Sequence, residues 1–566
     1  MNKKNFVEFF DWNVNFNIST KKLKSFSDNY DKILLKKNKA KIIKFSFFLS
    51  KKIIKKFYIK LNKLTKSSLS YKQWEFILLH WCFFTVCHSY TLWSLVEKSK
   101  RKKFKLFDTN INDVLKRPED FKPSSKVVNY WMLKKILDFK NLKYLVSGKI
   151  NYSPIPLHKK SVFKRIISKL FSILNLFFPT RILLVDTGLS FVNELFLNIK
   201  LKQAPINFNL HDYKINNVNK KLRGDLKIKI PKKKKNFQTF FEEIFPEILP
   251  NEFLESFNYY FNYSKKNFWS DKNKFQMIIT QNISSSIKRI IFSKYMDKTN
   301  RLILLQHGGG YGIAKMHLGE MVESYLGNKF LTWGWREKKG KKHQFYSMRI
   351  SQLKNKILKN TSKSKIVFFI SSYTKFFQKI GFYPTTNYQT VLQFRYIANI
   401  VNRLKKDLKN KLILRYSKYG FDRGGLEFPK NLFDKNIAYD ELMKPYYKSI
   451  NKNTLTIHDN INNSTAWIET LALNIPTIIF ADANTNDVRT SFVKTFKLLK
   501  KNNIVFTDTL SLSNFVNDNY ENLNEWWSSK KIQNARLITI KKYARIHKKP
   551  VECLKKRIIK EIKKIN

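Results

Sequence analysis

The sequence is poor in cysteine, glycine, proline and acidic residues. Its 566 residues include 3 cysteines, 15 glycines and 14 prolines, and 41 Asp and Glu stand against 109 Lys and Arg. An odd, low cysteine count without C-x-x-C spacing argues against a disulfide scaffold and against structural zinc, and it is typical of a reducing cytoplasm. Cys82 and Cys87 lie in an apolar segment, so we expect both in the core.

Long uncharged hydrophobic runs are also missing. We find no stretch of 18 or more apolar residues, so the sequence predicts no membrane-spanning helix, and the polar residues that follow Met1 predict no signal peptide. Two stretches come nearest to a membrane-spanning helix. Each could form an amphipathic helix on a membrane surface or a helix packed on its own domain, and we favour the second interpretation. Basic residues interrupt both candidates, namely Lys44, Lys51 and Lys52 in the first and Lys164, Arg165 and Lys169 in the second.

Negative charge is scarce enough to leave a formal net charge of +68. A field of this sign favours anionic partners such as nucleic acid, anionic lipid head groups or phosphorylated substrates. The competing interpretation, which we favour, is an AT-rich codon bias that raises Lys together with Asn, Ile and Phe. The basic residues are dispersed, in runs such as 232–235 and 338–342. Hydrophobic residues make up 43% of the chain, which excludes a disordered chain of low hydrophobicity.

Apolar runs and helical segments alternate through most of the chain. A chain of 566 residues exceeds the roughly 250–300 residues at which single cores stop growing, so we expect at least two domains. Short apolar runs that predict buried strands occur at 181–186, 276–280, 302–305, 366–370, 412–415, 455–458, 477–480 and 504–506. The alternation predicts an α/β fold with two Rossmann-like, doubly wound domains that face a cleft. The helices predicted between the strands lie at 284–294, 385–408, 440–450, 465–474 and 487–501.

This pattern divides the chain into four predicted regions. Residues 1–100 are a helical N-terminal extension, and residues 101–335 are an N-terminal α/β domain on the acceptor side. Residues 336–530 are a C-terminal α/β domain for the donor nucleotide, and residues 531–566 are a basic C-terminal helix. Residues 71–97 are strongly aromatic; a partner or lipid surface is one interpretation, and a buried helix is the one we favour.

Four glycines are concentrated in five positions shortly after the 302–305 strand. The segment reads Gln306-His307-Gly308-Gly309-Gly310-Tyr311-Gly312. Glycine permits positive φ and close backbone approach, and a run of exposed N–H groups can hold an anion. We therefore predict that Gly308, Gly309 and Gly310 bind a phosphate and that His307 is a general base, because its ordinary pKa is about 6.5. The alternative is a turn with a structural His, and the Lys-Ser/Thr ending of a P-loop is missing.

An acidic residue follows the Gly-rich loop. Glu320 is predicted to orient His307 or to hold a ligand hydroxyl, and a solvated helix acid is the alternative. Trp333 and Trp335 follow in the next apolar run. They could stack on a ring, although core packing is the interpretation we favour.

A second polar cluster opens the helix predicted at 465–474. It reads Asn462-Asn463-Ser464-Thr465-Ala466-Trp467-Ile468-Glu469. Asn and Ser are good N-cap residues, so the start of this helix would face the cleft and suit a donor phosphate. Thr465 and Glu469 are four residues apart and share one helix face. We predict Asn463, Ser464, Thr465 and Glu469 as donor-binding residues, with Glu469 on ribose hydroxyls; an ordinary cap with a solvated Glu is the alternative.

Two arginines complete the predicted donor site. Arg415 ends a predicted strand and Arg489 opens a predicted helix, and either guanidinium can clamp a phosphate. Arg423 and Asp434 are nearby in the pattern, and each of these residues alone is weak evidence. We find no Asp-x-Asp at a strand end and no Gly-x-Ser-x-Gly elbow, so the sequence predicts neither a bound metal nor a serine hydrolase.

At these motifs the sequence resembles a family of transferases found in bacterial O-antigen and surface-carbohydrate gene clusters. The resemblance implies a GT-B-like architecture, similar in outline to capsule transferases that act on nucleotide-activated donors. It covers most of the chain, and the central Gly-rich segment is its most specific part. The segments that carry it are 306–312, 330–335, 463–465, 469–472, 474–477, 526–527 and the aromatic region from Trp74 to Trp93.

The leading hypothesis is a metal-independent, glycosyltransferase-like enzyme of surface-polysaccharide biosynthesis. It would need no cofactor, and its partners would be a nucleotide-sugar donor and a saccharide or lipid-linked acceptor. It would be cytoplasmic, with an anionic membrane surface as a further partner on the inner face of the membrane. The alternatives are a basic nucleic-acid-binding protein, which the dispersed charge disfavours, and a non-catalytic scaffold of a polysaccharide assembly complex.

Overall fold

The computed structural model shows a mixed α/β chain with three parallel sheets. The residues that the structure describes are 6–8, 36–99, 103–117, 120–123, 125–152, 170–171, 173–206, 213–229, 236–263, 275–296, 301–337, 339–353, 365–371, 387–416, 430–433, 436–440, 445–448, 450–462, 464–483 and 486–564.

Two long antiparallel helices, Lys36–Thr65 and Tyr71–Lys98, dominate the N-terminal region. Ser70 starts the second helix with a capping box, because its side chain accepts from the Gln73 N–H while Gln73 bonds back to Ser70. Tyr71–Lys98 is the one described helix long and apolar enough to cross a membrane, but 89% of its apolar window is buried inside the molecule. The prediction of a buried aromatic helix is therefore confirmed, and Cys82 and Cys87 lie in the core as expected.

A small sheet that the sequence pattern did not predict lies beside these helices. Its strands are β1 (Phe6–Glu8), β2 (Lys103–Thr109) and β3 (Tyr144–Ile150), all parallel and in that order. Most of β3 is exposed, so its sequence lacks the apolar run by which buried strands are found. Helices of this region with the adjoining 3-10 turn are Ile111–Leu115, Lys126–Phe139, Lys220–Leu226, Phe237–Ile248, Asn251–Phe253 and Phe257–Phe261.

The second sheet has five parallel strands in sequential order. They are β4 (Ile182–Val185), β5 (Met277–Thr280), β6 (Arg301–Leu305), β7 (Lys329–Thr332) and β8 (Lys342–Gln344). β4 and β5 are buried throughout, as is β6 after its first residue, which explains why continuous apolar runs predicted them. The connecting helices include Phe191–Lys200, Ser286–Ser293 and Leu318–Leu326, and Met348–Leu353 follows β8. Their arrangement leaves the carboxyl ends of β4, β5 and β6 side by side.

The third sheet has six parallel strands with a reversal in their order. They are β9 (Ile366–Ile370), β10 (Leu412–Tyr416), β11 (Ala438–Asp440), β12 (Leu455–His458), β13 (Thr477–Phe480) and β14 (Val505–Phe506). The spatial order β11-β10-β9-β12-β13-β14 is the 3-2-1-4-5-6 order of the dinucleotide-binding fold. The switch point, where ligands bind in such sheets, is between β9 and β12.

Most helices predicted around the third sheet are present. Those described are Asn387–Asn402, Lys406–Asn410, Ala466–Ala472, Thr490–Lys501, Thr509–Asn519 and Leu523–Ser528, with 3-10 turns at Lys430–Leu432 and Tyr446–Lys448. The helix predicted at 440–450 is wrong: its described part contains only the end of β11 and the turn at Tyr446–Lys448. Pro445 explains the error, since proline inside a helix removes a hydrogen bond and clashes with the preceding turn.

The end of the chain packs against both larger sheets. Lys530–Tyr543 contacts the helices Ala466–Ala472 and Thr490–Lys501 beside the third sheet. Pro550–Ile562 returns to the second sheet, where Leu554 and Ile558 join the core formed by strands β4 to β6. We call the second and third sheets, each with its flanking helices, the two units; the C-terminal helices join these units by packing against both.

The fold class is confirmed in its coarse form. The chain is α/β, and its parallel sheets with flanking helices are compatible with Rossmann-like domains. The GT-B-like arrangement of two facing domains stays a prediction.

Packing of the last helix under the second sheet is testable. Leu554 is fully buried, so Leu554→Ala is expected to cost about 2–5 kcal/mol through lost burial and a residual cavity. Lys556 is exposed on the same helix, and Lys556→Ala should change stability by no more than about 0.5 kcal/mol. Thermal unfolding of the two variants checks this, and equal melting temperatures would contradict the packing described.

Candidate functional site

The Gly-rich loop after β6 lies at the interface between the second and third sheets, which we call the seam. The Gly309 N–H donates to Thr465 Oγ1 at 3.1 Å. A few residues on, Ala314 and Val488 form an antiparallel bridge, and the Arg489 N–H donates to the Ile313 carbonyl at 2.7 Å. These contacts bring the predicted residues 308–310, Thr465 and Arg489 together at one place.

Close approach of two backbones explains the glycines in this loop. A Cβ on Gly309 would lie 3.1 Å from Thr465 Cα and 3.1 Å from Ile468 Cγ2, and one on Gly310 would collide with the Asn462 carbonyl oxygen. Gly312 has φ +72, a conformation that favours glycine. The glycines therefore fit the loop against residues 462–468; the role predicted for Gly308, Gly309 and Gly310 in holding an anion stays a prediction.

A buried amide fixes the start of the loop. Gln306 Oε1 accepts from the Trp333 N–H and from Trp335 Nε1, both at 2.9 Å, and Gln306 Nε2 donates to the Gly308 carbonyl at 2.8 Å. Both tryptophans are buried, as the core interpretation of these residues predicts. These three hydrogen bonds of the Gln306 amide restrain the backbone on both sides of His307.

His307 is the partly exposed polar side chain at the end of β6. Its side chain is 35% exposed, and Nδ1 lies 3.8 Å from Glu323 Oε1. Tyr311 Oη lies 3.3 Å from both ring nitrogens. Burial by the surrounding protein lowers the pKa of His307; a hydrogen bond to the Gln281 backbone opposes this shift, and the charge of Lys288 adds to it. The imidazole is therefore neutral at pH 7 and can accept a proton.

Glu323 is a partner of His307 that the sequence reasoning missed. It is 2% exposed, and Tyr311 Oη donates to its Oε2 at 2.9 Å. Burial raises the pKa of Glu323 to about 8. The charge of Glu320 also raises this pKa, while the hydrogen bond from Tyr311 lowers it. At neutral pH both His307 and Glu323 are therefore mainly uncharged, and their contact is not an ion pair. The spacing of Glu320 and Glu323 on one helix face was the available signal.

Glu320 contacts basic residues from both units. It accepts from the Gly312 N–H at 2.9 Å, from Lys342 Nζ at 2.8 Å and from Arg489 Nη2 at 2.9 Å. Burial alone would raise the pKa of Glu320, but the charges of Arg489 and Lys342 outweigh it and hold the pKa below its usual value. Its hydrogen bonds among the described residues thus join the two units rather than orient His307 directly.

The predicted donor residues around the 466–472 helix have different surroundings. Thr465 precedes this helix, but its hydroxyl accepts from Gly309 and makes no cap hydrogen bond. Ser464 is partly exposed, and Asn463 lies outside the described residues. Glu469 is 1% exposed, and its Oε1 lies 3.0 Å from Arg349 Nε. Burial raises the pKa of Glu469, while Arg349 and a Tyr446 hydrogen bond act in the opposite direction.

The two predicted arginines are already paired. Arg415 is 1% exposed, forms an ion pair with Asp440, and lies over the Phe369 ring at 5.9 Å. Arg489 is bound to Glu320. Arg349, in the Met348–Leu353 helix, was missed. Its side chain is 52% exposed, more than those of Arg415 and Arg489. Arg423 and Asp434 lie outside the described residues.

Polar side chains also meet at the switch point of the third sheet. Ser371 follows β9 and Asp459 follows β12; Asp459 accepts from the Ser371 N–H at 2.8 Å and from its hydroxyl at 2.7 Å. Asn462, three residues on, is 2% exposed, and neither polar atom of its side chain has a hydrogen-bond partner among the described residues. A buried amide without partners is costly, so this part of the seam is suited to a polar ligand.

The structure is that of an α/β protein with a polar site in the seam between two parallel sheets. His307 lies at the edge of one sheet, and Ser371 and Asp459 lie at the switch point of the other. The family described as LIC12162 family transferase matches residues 19–558. This is nearly the whole chain, so the chain belongs to that family, and the prediction of a transferase is confirmed at that level. No curated protein matches the chain. The surface-carbohydrate context and the GT-B architecture stay predictions.

Metal ligands are not clustered in the described part of the chain. No group of three or more His, Cys, Asp and Glu side chains there is arranged to hold a metal ion. Catalysis without a metal stays a prediction, to be tested by activity.

The fit of the Gly-rich loop against residues 462–468 is testable with a pair of Gly→Ala variants. Gly310→Ala would force the loop away from the Asn462 carbonyl, so it is expected to lower the melting temperature and expose the seam to protease. Gly224 lies in the Lys220–Leu226 helix with no neighbour within 4 Å of an added Cβ, so Gly224→Ala should be neutral or stabilise by up to about 1 kcal/mol. A Gly310→Ala protein as stable as Gly224→Ala would contradict this account of the glycines.

The protonation state of Glu323 predicts a pH-dependent stability. Its folded pKa of about 8 exceeds the ordinary value of 4.5, so the folded state binds more protons between these values. The stability from this group is fully present below about pH 4.5 and is lost as pH rises through about 8. Melting temperatures measured from about pH 5 to about pH 9 should fall more steeply in the wild type than in Glu323→Gln. Parallel curves would show that Glu323 is ionised in the folded protein.

Proposed function

We propose that this transferase moves a glycosyl or related group from a nucleotide-activated donor to a saccharide acceptor in surface-polysaccharide biosynthesis. The observation that carries the proposal is His307: a neutral, partly exposed imidazole at the end of β6, in the seam with the third sheet. A base in this state is what an acceptor hydroxyl requires, because it must lose its proton as it attacks.

Glu323 and Tyr311 support the same role for His307. As the acceptor oxygen bonds to the donor carbon, its proton moves to His307, and the bond from that carbon to the phosphate oxygen breaks with its electron pair on the nucleotide. The imidazolium then lies 3.8 Å from Glu323 Oε1, and a positive charge at this distance lowers the carboxyl pKa. The protonation of His307 and that of Glu323 are therefore coupled.

The donor is proposed to bind along the third sheet. The switch point at Ser371 and Asp459 and the unpartnered amide of Asn462 support this position. Arg349 supplies an exposed guanidinium for the leaving phosphate, next to Glu469. Thr465, Ser464 and the Gly308–Gly310 backbone line the same seam, and Arg489 keeps it closed through Glu320.

The remaining parts of the proposal concern the need for a metal or cofactor, the location of the protein and the acceptor. We propose that the reaction needs neither a metal ion nor a cofactor, because Arg349 lies next to the proposed donor site. We further propose a cytoplasmic protein whose acceptor is a free or lipid-linked saccharide. Nothing in the described contacts favours nucleic acid as the partner.

The role of His307 is tested with a matched pair of histidine variants. His307→Asn should lower the rate of nucleotide release in the presence of acceptor by about 10²–10⁴-fold, because the base is lost, while the thermal shift on donor binding is kept. CMP-, UDP-, GDP- and CDP-linked sugars are screened first by thermal shift to identify the donor. His343 lies in β8, near Arg557 and Glu561 rather than the seam, so His343→Asn should keep full activity.

One result would reject this assignment. A folded His307→Asn protein that binds the donor and transfers at the wild-type rate cannot use His307 as its base. Loss of donor binding together with transfer would instead place His307 in the donor site.

A further inference from the structure

An extended apolar face lies on one side of the second sheet. It is formed by residues 170–171 and 173–178 and by the exposed side of the Phe191–Lys200 helix. Several of its large side chains are each more than half exposed, among them Leu170, Ile173, Phe177, Phe191, Phe196 and Ile199. We refer to these residues as the apolar face.

The two segments form one continuous surface. The Phe171 and Phe191 rings are stacked with their centroids 6.3 Å apart, and the Ala204 N–H donates to the Phe178 carbonyl at 3.0 Å. Between them is a cavity of about 180 Å³, lined by Phe171, Phe191 and Leu195 and, at its inner end, by Asp186 and Glu194. Asp186 follows β4, so the cavity connects the apolar face with the carboxyl edge of the second sheet.

Such a concentration of exposed apolar side chains is unusual for a surface that faces only water. Exposed hydrophobic residues elsewhere in the described chain, such as Leu510 and Leu537, are spread over separate helices. Single exposed residues need no explanation, whereas a contiguous patch marks a site of interaction. Burying six large side chains would release about 25 cal/mol for each Å² removed from water.

Positive charge borders the apolar face. Lys200, which forms an ion pair with Glu552, and Lys202 are exposed directly after Ile199, at the end of the Phe191–Lys200 helix. The whole chain carries a formal +68. Apolar side chains next to lysines are the combination that binds the interface of an anionic bilayer, where rings enter the acyl boundary and ammonium groups meet the head groups.

We propose that the apolar face docks the protein on an anionic lipid bilayer. A second copy of the chain is disfavoured as the occupant, because a two-fold interface would bring these same lysines of both copies together. Docking would place the carboxyl edge of β4, at Asp186, next to the lipid head groups. The assignment concerns this surface alone and does not depend on the proposed transfer chemistry.

Vesicle binding by the full chain tests the proposal. Wild-type protein is sedimented with phosphatidylcholine vesicles that contain or lack phosphatidylglycerol, at physiological salt. We expect binding to the anionic vesicles and at least about tenfold weaker binding to the neutral ones, since each lysine near an anionic surface contributes about 1 kcal/mol.

Substitutions separate the apolar and the charged contributions. Phe177→Glu with Phe191→Glu should weaken binding to anionic vesicles by at least about tenfold, because two rings no longer enter the bilayer. Lys200→Glu with Lys202→Glu should reduce only the preference for anionic lipid. The control, Leu510→Glu with Leu537→Glu, changes two residues on other helices that are each about half exposed, and it should bind like the wild type.

Three results would overturn the proposal, provided that the variants melt like the wild type. In the first, wild-type protein does not sediment with anionic vesicles. In the second, the Phe177→Glu, Phe191→Glu protein binds as well as the control. In the third, vesicle binding is absent and the protein is a dimer that these substitutions dissociate. The last result would assign the apolar face to a second copy.

Discussion

The close contact between the Gly308–Gly310 backbone and residues 462–468 determines where the candidate site residues lie. Side chains at Gly309 and Gly310 would hold the two segments apart, and the Gly309 N–H could no longer reach Thr465. The contact fixes β6 of the second sheet against the start of the 466–472 helix of the third. His307 on one side and Asn462 on the other share a seam for that reason, although 154 residues separate Gly308 from Asn462 in the sequence.

Two glutamates on one helix respond to this seam in opposite ways. Glu320 is buried but has Arg489 and Lys342 within hydrogen-bond distance, so it stays ionised and joins the units. Glu323 is equally buried, but its close contacts are Tyr311 and His307, and the neighbouring charge of Glu320 opposes its ionisation. Because one carboxylate takes both cations, the other is left to hold a proton beside the histidine. A residue that is neutral in the resting state can then respond when His307 becomes charged.

The sequence predicts those parts of this arrangement that depend on local pattern. Buried strands such as β4 and β9 are continuous apolar runs, and the crowding of glycine after β6 indicates a special backbone. β3 is exposed, and a polar stretch, 147–149, interrupts its apolar residues. Pro445 interrupts a segment that otherwise has a helical pattern. Glu323 and Arg349 are ordinary surface residues by sequence, and only tertiary contacts with His307 and Glu469 distinguish them. Pairing across distant segments is the information that one sequence alone does not contain.

The strand order of the third sheet gives the seam its second polar side. The chain leaves β9 toward one edge of the sheet and returns to place β12 beside it. The connections that follow β9 and β12 therefore leave in opposite directions, and a crevice lies between them. Ser371 and Asp459 satisfy one another at this crevice, whereas both polar atoms of the Asn462 side chain remain unpaired nearby. An unsatisfied buried amide costs about 1–3 kcal/mol. A bound polar ligand would remove this cost, and part of its binding energy would come from completing hydrogen bonds that the free protein leaves open.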